Sequence, residues 1–450
     1  MSSDRVAPWL VESRWPTVPI RLVARLGSGH TPSRSKPEYW ENCTKPWITL
    51  ADVWQIRSGQ TTVITATKEK ISPLGLANSS ATLRPAGTVI LSRTASVGFS
   101  AIMGHEMATS QDFVTWTCGP RLDSRYLLHT LRGMAPDLKR VATGSTHKTI
   151  YMPDIEQLRV PLPPVEEQRR IADFLDAETA RIDQLVGRRN AQEVGLAERA
   201  YASVSEILLP GILSNPSGHW PWAWLPRAMD DRPLVRLGYV CRLQNGLTVD
   251  GKRDLSGDVL TRPYLRVANV QAGSVALDTV TEITVPRDIA ARSTLRPGDV
   301  LMTEGGDLDK LGRGTVWQGE LPECLHQNHV FALRPELDRL DGNYLALMTS
   351  TLHGRCYFES TGTKTTNLAS TNSSKILSFP IPLPNVAAQR ELAKQAQNAL
   401  NAIEATSRLL KHQSAVLVER RQALITAAVT GQFDVSTASG RNVTDGVPAS

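Results

Sequence analysis

Three short loops in the first part of the chain, SGHTPSRSK (28–36), SRTAS (92–96) and GSTHKT (144–149), combine glycines and hydroxyls with Arg34, Lys36, Arg93 and Lys148. Later, EGGDLDKLGRG (304–314), HQNH (326–329) and TGTKTTN (361–367) bring Lys310, Arg313, Gln327, Asn328 and Lys364 into similar company. These side chains donate to phosphate oxygens and read base edges, and glycine lets a backbone approach closely. The chemistry on offer is hydrogen bonding and charge neutralisation of a polyanion. Glycine-serine-threonine loops with a lysine are also ordinary solvated turns, so the organisation of the chain has to decide between the two.

Sites for making or breaking bonds are missing from the sequence. There is no complete GxxxxGK[ST] phosphate loop: Gly246, Gly251 and Lys252 have the spacing, but Arg253 stands where the motif requires serine or threonine. His105-Glu106 has no second histidine at helical spacing, and there is no GxSxG elbow. Neither Asn-Pro-Pro-Tyr nor Asp-Pro-Pro-Tyr, used by amino-methyltransferases around a flipped base, occurs. Asp-x-Lys at Asp137–Lys139 and Asp250–Lys252 is a pattern of common residues expected by chance. Together these absences favour a binding protein over an enzyme, with no catalytic residues, metal or cofactor of its own.

With 450 residues, the chain is too long for one ordinary core and implies two or three domains. A hydrophobic content of 41% with 21% charged residues, and no apolar run long enough to cross a bilayer, describes a soluble globular protein. The first residues lack the pattern of a secretory signal, and five isolated cysteines form no CxxC pair. Reduced, buried thiols in a cytoplasmic protein are the expectation. The net charge of +6 suits a polyanionic partner without requiring one.

An internal repeat supplies the missing organisation. PLPPVEEQRR (161–170) returns as PLPNVAAQRE (382–391), PWITLADV (46–53) as PYLRVANV (263–270), and LRPAGTVIL (83–91) as LRPGDVLM (295–302). Ile20-Arg21-Leu22 is matched with Val235-Arg236-Leu237, Gln111-Asp112-Phe113-Val114 with Gln327-Asn328-His329-Val330, and Tyr126-Leu127 with Tyr344-Leu345. Gly144-Ser145-Thr146 then pairs with Gly362-Thr363, which sets Lys148 and Lys364 at similar places. The order never changes, and the offset stays between 212 (Leu83 to Leu295) and 221 (Pro161 to Pro382).

Each copy reads as an α+β globular part, with short β-rich runs such as TVILS (88–92) and DVLMT (299–303) and helical patches such as 124–134. Each ends in prolines that are poor helix interior but a good approach to a helix, with Asn385 as an N-cap and Glu166 and Glu167 at a favourable helix end. The second helix carries a heptad seam through Leu392, Ala396, Ala399, Ile403, Thr406, Leu410, Gln413, Leu417, Arg420, Leu424 and Ala427, widened by Leu400, Leu409, Val416 and Ile425. The first starts alike with Ile171, Leu175, Ile182 and Leu185, then meets Gly187 and Gly195, where a bend or break is expected as readily as continuity. Helices of about 40 residues are roughly 60 Å long. Packed antiparallel, they would make a dumbbell with a pseudo-twofold axis, suited to DNA sites about 34 Å apart along the duplex.

The ordered set of GHTPSR (29–34), PEYW (37–40), PWI (46–48), Gln111-Asp112-Phe113, GSTHKTI (144–150), PLPPVEEQ (161–168) and RRQALITAAVTGQFDV (420–435) resembles the specificity subunit of type I restriction-modification systems. His30 stands where that family's pattern has a small residue. The resemblance implies two target-recognition domains, each binding one half of a split double-stranded DNA target, and two spacer helices that set the gap. It also implies docking of two methyltransferase subunits and assembly with motor-nuclease subunits, which carry the catalysis, S-adenosylmethionine and ATP. The expected boundaries are 1–164 and 210–385 for the recognition domains (the latter with its linker), 165–209 and 386–431 for the spacers, and 432–450 for a disordered tail.

Lys148 and Lys364 lead the candidate DNA contacts, followed by Arg34, Arg93, Gln111, Lys310, Arg313, Gln327 and Asn328. Trp220, Trp222 and Trp224 in the linker are expected to pack on a domain. Two other readings stay open at this point: the recognition subunit of a restriction enzyme outside type I, and a coiled-coil adaptor that binds protein only.

Overall fold

The computed structural model describes residues 7–142, 148–213, 234–249, 255–306, 311–364 and 369–436. Lys310, the linker tryptophans and the last residues of the expected tail lie outside them. The chain divides into two units, one of residues 1–190 with 411–450 and the other of residues 191–410. Four helices matter below: α1 (Ser124–Val141), α2 (Val165–Leu208), α3 (Gly342–Thr349) and α4 (Val386–Thr430).

In the first unit a five-stranded sheet runs in the order Ala24–Ser28, Phe113–Cys118, Val89–Ser92, Ser100–Met103 and Val63–Ile64, with only the last pair parallel. Side chains alternate between the faces of a strand, so a run buried throughout, as Val89–Ser92 is, needs cover on both sides. Val89, Leu91, Val114 and Trp116 meet Leu127, Leu131 and Met134 of α1. Ile90, Ala101, Met103 and Phe113 meet Ile48, Val53 and Ile56 on the other side. A smaller sheet joins Lys45–Ile48 antiparallel to Glu69–Ile71 and parallel to Ala108–Thr109.

In the second unit the main sheet is antiparallel, in the order Cys241–Asn245, Val330–Pro335, Val300–Thr303 and Gly314–Val316. Val300, Met302 and Leu333 pack with Tyr344, Leu345 and Met348, whereas Leu301, Val330 and Ala332 share a core with Leu265 and Trp317. Val259–Leu265 pairs antiparallel with Thr281–Pro286 and parallel with Leu325–His326. A third sheet orders Gly305–Gly306, Ala369–Ser370 and Thr363–Lys364.

Both proline phrases close a two-stranded ribbon: Thr17–Pro19 with Arg159–Pro161, and Leu234–Arg236 with Pro380–Pro382. These registers correct the opening match. Ile20 N–H donates to Leu158 O and Leu237 N–H to Phe379 O, so Ile20 answers to Leu237 and not to Val235. Beyond the ribbons, Gln168 is buried, accepts from Asp123 N–H at 2.8 Å, and donates to the carbonyls of Arg121 at 2.9 Å and Pro163 at 2.8 Å. Gln389, also buried, repeats the pattern with Asp341 N–H at 2.9 Å, Arg339 O at 2.9 Å and Pro384 O at 2.7 Å. Asp123 and Asp341 cap α1 and α3, and the hydroxyls of Tyr126 and Tyr344 donate to Pro161 O at 3.0 Å and Pro382 O at 2.9 Å. Asn385 caps the start of α4 by accepting from Ala388 N–H.

The helix α2 runs unbroken through Gly187 and Gly195. In the first unit its beginning lies antiparallel to the end of α4, since Phe174 meets Phe433 at 5.6 Å and Asp183 pairs with Arg421 at 3.2 Å. Ile171, Leu175 and Ile182 share a core there with Leu424, Ile425 and Ala428. In the second unit Val204 and Leu208 share a core with Ala393 and Ala396. The seam is narrower than expected: Thr406 and Arg420 are exposed, as are Leu409 and Val416, while Leu410 beside Leu409 is buried. The tail also begins later than residue 432, with Phe433 packed and Val435 buried. All five cysteines are free thiols, two buried and three only half-buried. Among the described residues no helix is long and apolar enough to cross a membrane.

Candidate nucleic-acid interface

In the first unit several of the candidate residues gather where the strand Ala24–Ser28 ends. The chain passes so close to Thr109 that a methyl group on Gly29 would lie 2.1 Å from its carbonyl oxygen, which only glycine permits. His30 N–H donates to that same oxygen at 3.0 Å. Thr31 donates its hydroxyl to the side-chain oxygen of the exposed Gln111. Arg93 fastens the next two segments, its guanidinium donating to Gln111 O at 3.0 Å and Ile150 O at 3.3 Å. Ala95 N–H donates to Lys148 O at 2.9 Å, and Thr94 bridges to Thr149. Loop 29–31 is thus joined to 111–112, that loop to 93–95, and 93–95 to the 148–150 segment.

The candidate residues divide by role. Lys148 and Gln111 are exposed on this convergence, and Lys148 has no carboxylate partner among the described residues. Arg93 is spent on carbonyls and positions the others. Arg34 sits apart, stacked 3.9 Å from the Trp40 ring centroid and paired with Glu69 at 3.2 Å, so part of its charge is already balanced.

The second unit has a comparable crossing. A methyl group on Gly246 would lie 2.1 Å from Gln327 O. Leu247 N–H donates to His326 O at 2.8 Å and Asn328 N–H to Leu247 O at 3.0 Å. The Gln327 side-chain oxygen accepts from Val267 N–H at 3.4 Å, so Gln327 is partly engaged in holding the loop. Within HQNH, His326 is wholly buried, its Nδ1 against Val330 O at 2.7 Å, and burial lowers its pKa. It belongs to the core, and only Gln327, Asn328 and His329 reach outward.

Sequence reasoning passed over the next contact. Glu304 pairs with His329, donates its N–H to His329 O at 2.9 Å, and accepts from Thr371 N–H at 2.7 Å. This ties the Gln327–His329 loop to the small sheet in which Lys364 stands opposite Ala369. Arg313 lies half-buried in the turn before Gly314–Val316. That turn is fixed by Gly312, whose φ of +76° and position against the Phe358 ring exclude a side chain. No sequence pattern marked Glu304 and His329 as partners, because they meet only through strand pairing.

Residues 12–192 match the family model described as "Type I restriction modification DNA specificity domain". The MjaIX specificity subunit of Methanocaldococcus jannaschii is 27% identical over 180 residues, 40% of this chain and 40% of that protein. The EcoR124I/EcoR124II specificity subunit of Escherichia coli is 24% identical over 217 residues, 45% of this chain and 51% of that one. The chain therefore spans about half or less of these two relatives' lengths. A longer match, 22% identical and covering 70% of this chain and 71% of its counterpart, is to the MjaVIII specificity subunit of Methanocaldococcus jannaschii. Among solved structures, a chain from work on complex assembly and conformational transition of the type I R-M system aligns with a TM-score of 0.70 at 20% identity, over 93% of this chain and 98% of that one. The HsdS subunit from Thermoanaerobacter tengcongensis aligns with a TM-score of 0.52 at 19% identity, over 93% and 97%. At such identity these likenesses establish the mixed helix-and-sheet fold. Residues 12–192 thus match the type I restriction modification DNA specificity domain, and the chain is similar in sequence to type I specificity subunits.

Proposed function

We propose that this chain is the non-catalytic DNA-specificity subunit of a type I restriction-modification complex, acting in the cytoplasm. Each unit reads one half of a bipartite target in double-stranded DNA. The helices α2 and α4 pair as an antiparallel coiled coil, set the gap between the halves, and dock two methyltransferase subunits, to which the motor-nuclease subunits add. The observation that carries this reading is the repeated crossing, Gly29 against Thr109 beside Gln111 and Gly246 against Gln327, reached in both units by the same succession of ribbon, strand and parallel strand pair. A protein that bound one continuous site would have no need to build that crossing twice.

The candidate contacts are Lys148 and Gln111 in the first unit, and Asn328, Arg313 and Lys364 in the second, with Lys310 in the same loop region by sequence. Arg34, Arg93 and Gln327 act mainly by holding loops. Exchanging residues 1–164 for those of a relative with another target, followed by mapping of methylated adenines across the genome, tests the reading. One half of the methylated sequence should change and the other persist. A change in both halves, or methylation that survives deletion of the gene, refutes it.

A further inference from the structure

Two arginines on the first unit have no role in the interface as described. On the strand Ala24–Ser28, Arg25 and Gly27 stand opposite Thr117 and Thr115 and share a face of the sheet with them. Over that face lies Arg84: a methyl group on Gly27 would meet Arg84 Nη2 at 2.2 Å and the Thr115 hydroxyl at 2.8 Å. The Thr115 hydroxyl is buried and has no hydrogen-bond partner. Among the described residues neither guanidinium has a carboxylate or hydrogen-bond partner. Arg84 pays twice, first through desolvation and then through its like-charged neighbour Arg25, and both lower its pKa.

The second unit handles a comparable position differently. There Arg334 faces Arg242 across the strands, and a buried carboxylate, Asp299, binds Arg334 through both its oxygens at 2.8 and 2.7 Å. In the first unit a hydroxyl pair, Thr88 with Thr117 at 3.0 Å, takes the place of such a charge. Two adjacent cations with no anion supplied by the fold are a receptor for one from outside.

The location suggests which anion. Arg25 and Gly27 lead through Ser28 into the Gly29 crossing. Arg84 exchanges backbone hydrogen bonds with Met107 at 2.8 and 3.1 Å, and the next strand, Ala108–Thr109, forms the other side of that crossing. We propose that Arg25 and Arg84 seat one phosphodiester of a DNA strand, with glycine at 27 keeping open the space that Arg84 occupies. The proposal rests on the DNA reading above and adds to it a backbone contact flanking the first half-site.

The test uses the full chain and a fluorescent duplex of about 40 base pairs, with affinity measured between about 50 and 200 mM salt. Arg84→Gln and Arg25→Gln should each weaken binding about tenfold near 100 mM salt, irrespective of sequence, and each reduce the slope of log affinity against log salt, with a loss of about 0.9 when both are changed. Gly27→Ala, which pushes Arg84 aside, should behave like Arg84→Gln, whereas Arg84→Lys keeps the charge and most of the slope. The thermal midpoint of Arg84→Gln should hold or rise, since a repulsive, desolvated cation has gone. Unchanged slopes in all three weakened variants overturn the proposal while leaving the DNA reading intact. So does protection of the wild type alone by inorganic phosphate with DNA slopes unaltered, which marks a free-anion site. A wild-type chain that binds no duplex at all overturns the underlying reading instead.

Discussion

Replacing Gln168 by Met removes the carboxamide that joins the globular part of the first unit to α2 and keeps about the same volume. Three hydrogen bonds disappear, all in a buried site: the one accepted from Asp123 N–H and the two donated to Arg121 O and Pro163 O. An orphaned buried N–H costs about 1–3 kcal/mol, and each of the two carbonyl bonds about 0.5–1.5 kcal/mol, so the loss should be about 2–6 kcal/mol. Global unfolding of a two-unit chain is not a single transition, so the measurement should be local. Hydrogen exchange reads the Asp123 amide directly, and that amide should lose at least tenfold in protection along with the first turn of α1. Gln389→Met should do the same at Asp341. Gln168→Glu keeps the acceptor but sets a carboxylate against two carbonyls, which raises its folded pKa above the ordinary value near 4.3. Relative to wild type, this variant should be weakest above its folded pKa and recover as pH falls through it. Unchanged Asp123 protection in Gln168→Met, with stability within about 0.5 kcal/mol of wild type, would refute the reasoning.

The glycines and buried histidines lead to further expectations. Gly29→Ala and Gly246→Ala force a shift of backbone against Thr109 or Gln327, on the order of 1–3 kcal/mol, and should abolish methylation at the cognate target while circular dichroism stays near wild type. Gly187→Ala and Gly195→Ala meet nothing within 4 Å on α2, so each should stabilise by about 1 kcal/mol in urea titrations; a lower midpoint would show that the helix is not continuous there. His129, His326 and His353 are buried with lowered pKa values, His353 to about 4, all chiefly through desolvation. Their unfolded forms take up protons from about pH 6.5 downwards before the folded forms do, so stability should be complete above that pH and fall by about 1.4 kcal/mol per unit for each group still neutral in the fold. A urea midpoint at pH 5.5 equal to that at pH 7.5 would contradict this.

What could be read from the sequence was what a few local residues determine together. The proline phrase was legible because its prolines end a strand, its first helical turn takes an acidic pair or an Asn cap, and its glutamine has three backbone partners that no other side chain satisfies as well. The start of the repeat was misjudged by two residues because Ile20-Arg21-Leu22 and Val235-Arg236-Leu237 look alike as composition. Register is set by the partners across the ribbon, Thr17 with Pro161 and Leu234 with Pro382. Glu304 with His329, and Arg25 with Arg84, were invisible for the same reason: strand pairing makes them neighbours across long stretches of sequence.

The helix seam shows the opposite limit. Ala396, Leu424 and Ala427 of the expected seam are buried, yet Leu409 and Val416 stay exposed. A heptad pattern states which face is apolar but not how many neighbours that face will have at a given turn. Ala396 shares a core with Val204 and Leu208 of α2, and farther in Leu410 is buried while its neighbour Leu409 stays exposed. Apolar side chains retained at such turns need a reason other than the chain's own core, and the proposed docking of partner subunits on this region supplies one. Leu409→Lys and Val416→Lys should therefore leave the stability of the isolated chain within about 0.5 kcal/mol, as surface changes do, and weaken capture of the methyltransferase subunits. A large loss of stability with capture intact would assign those residues to the helix pair instead.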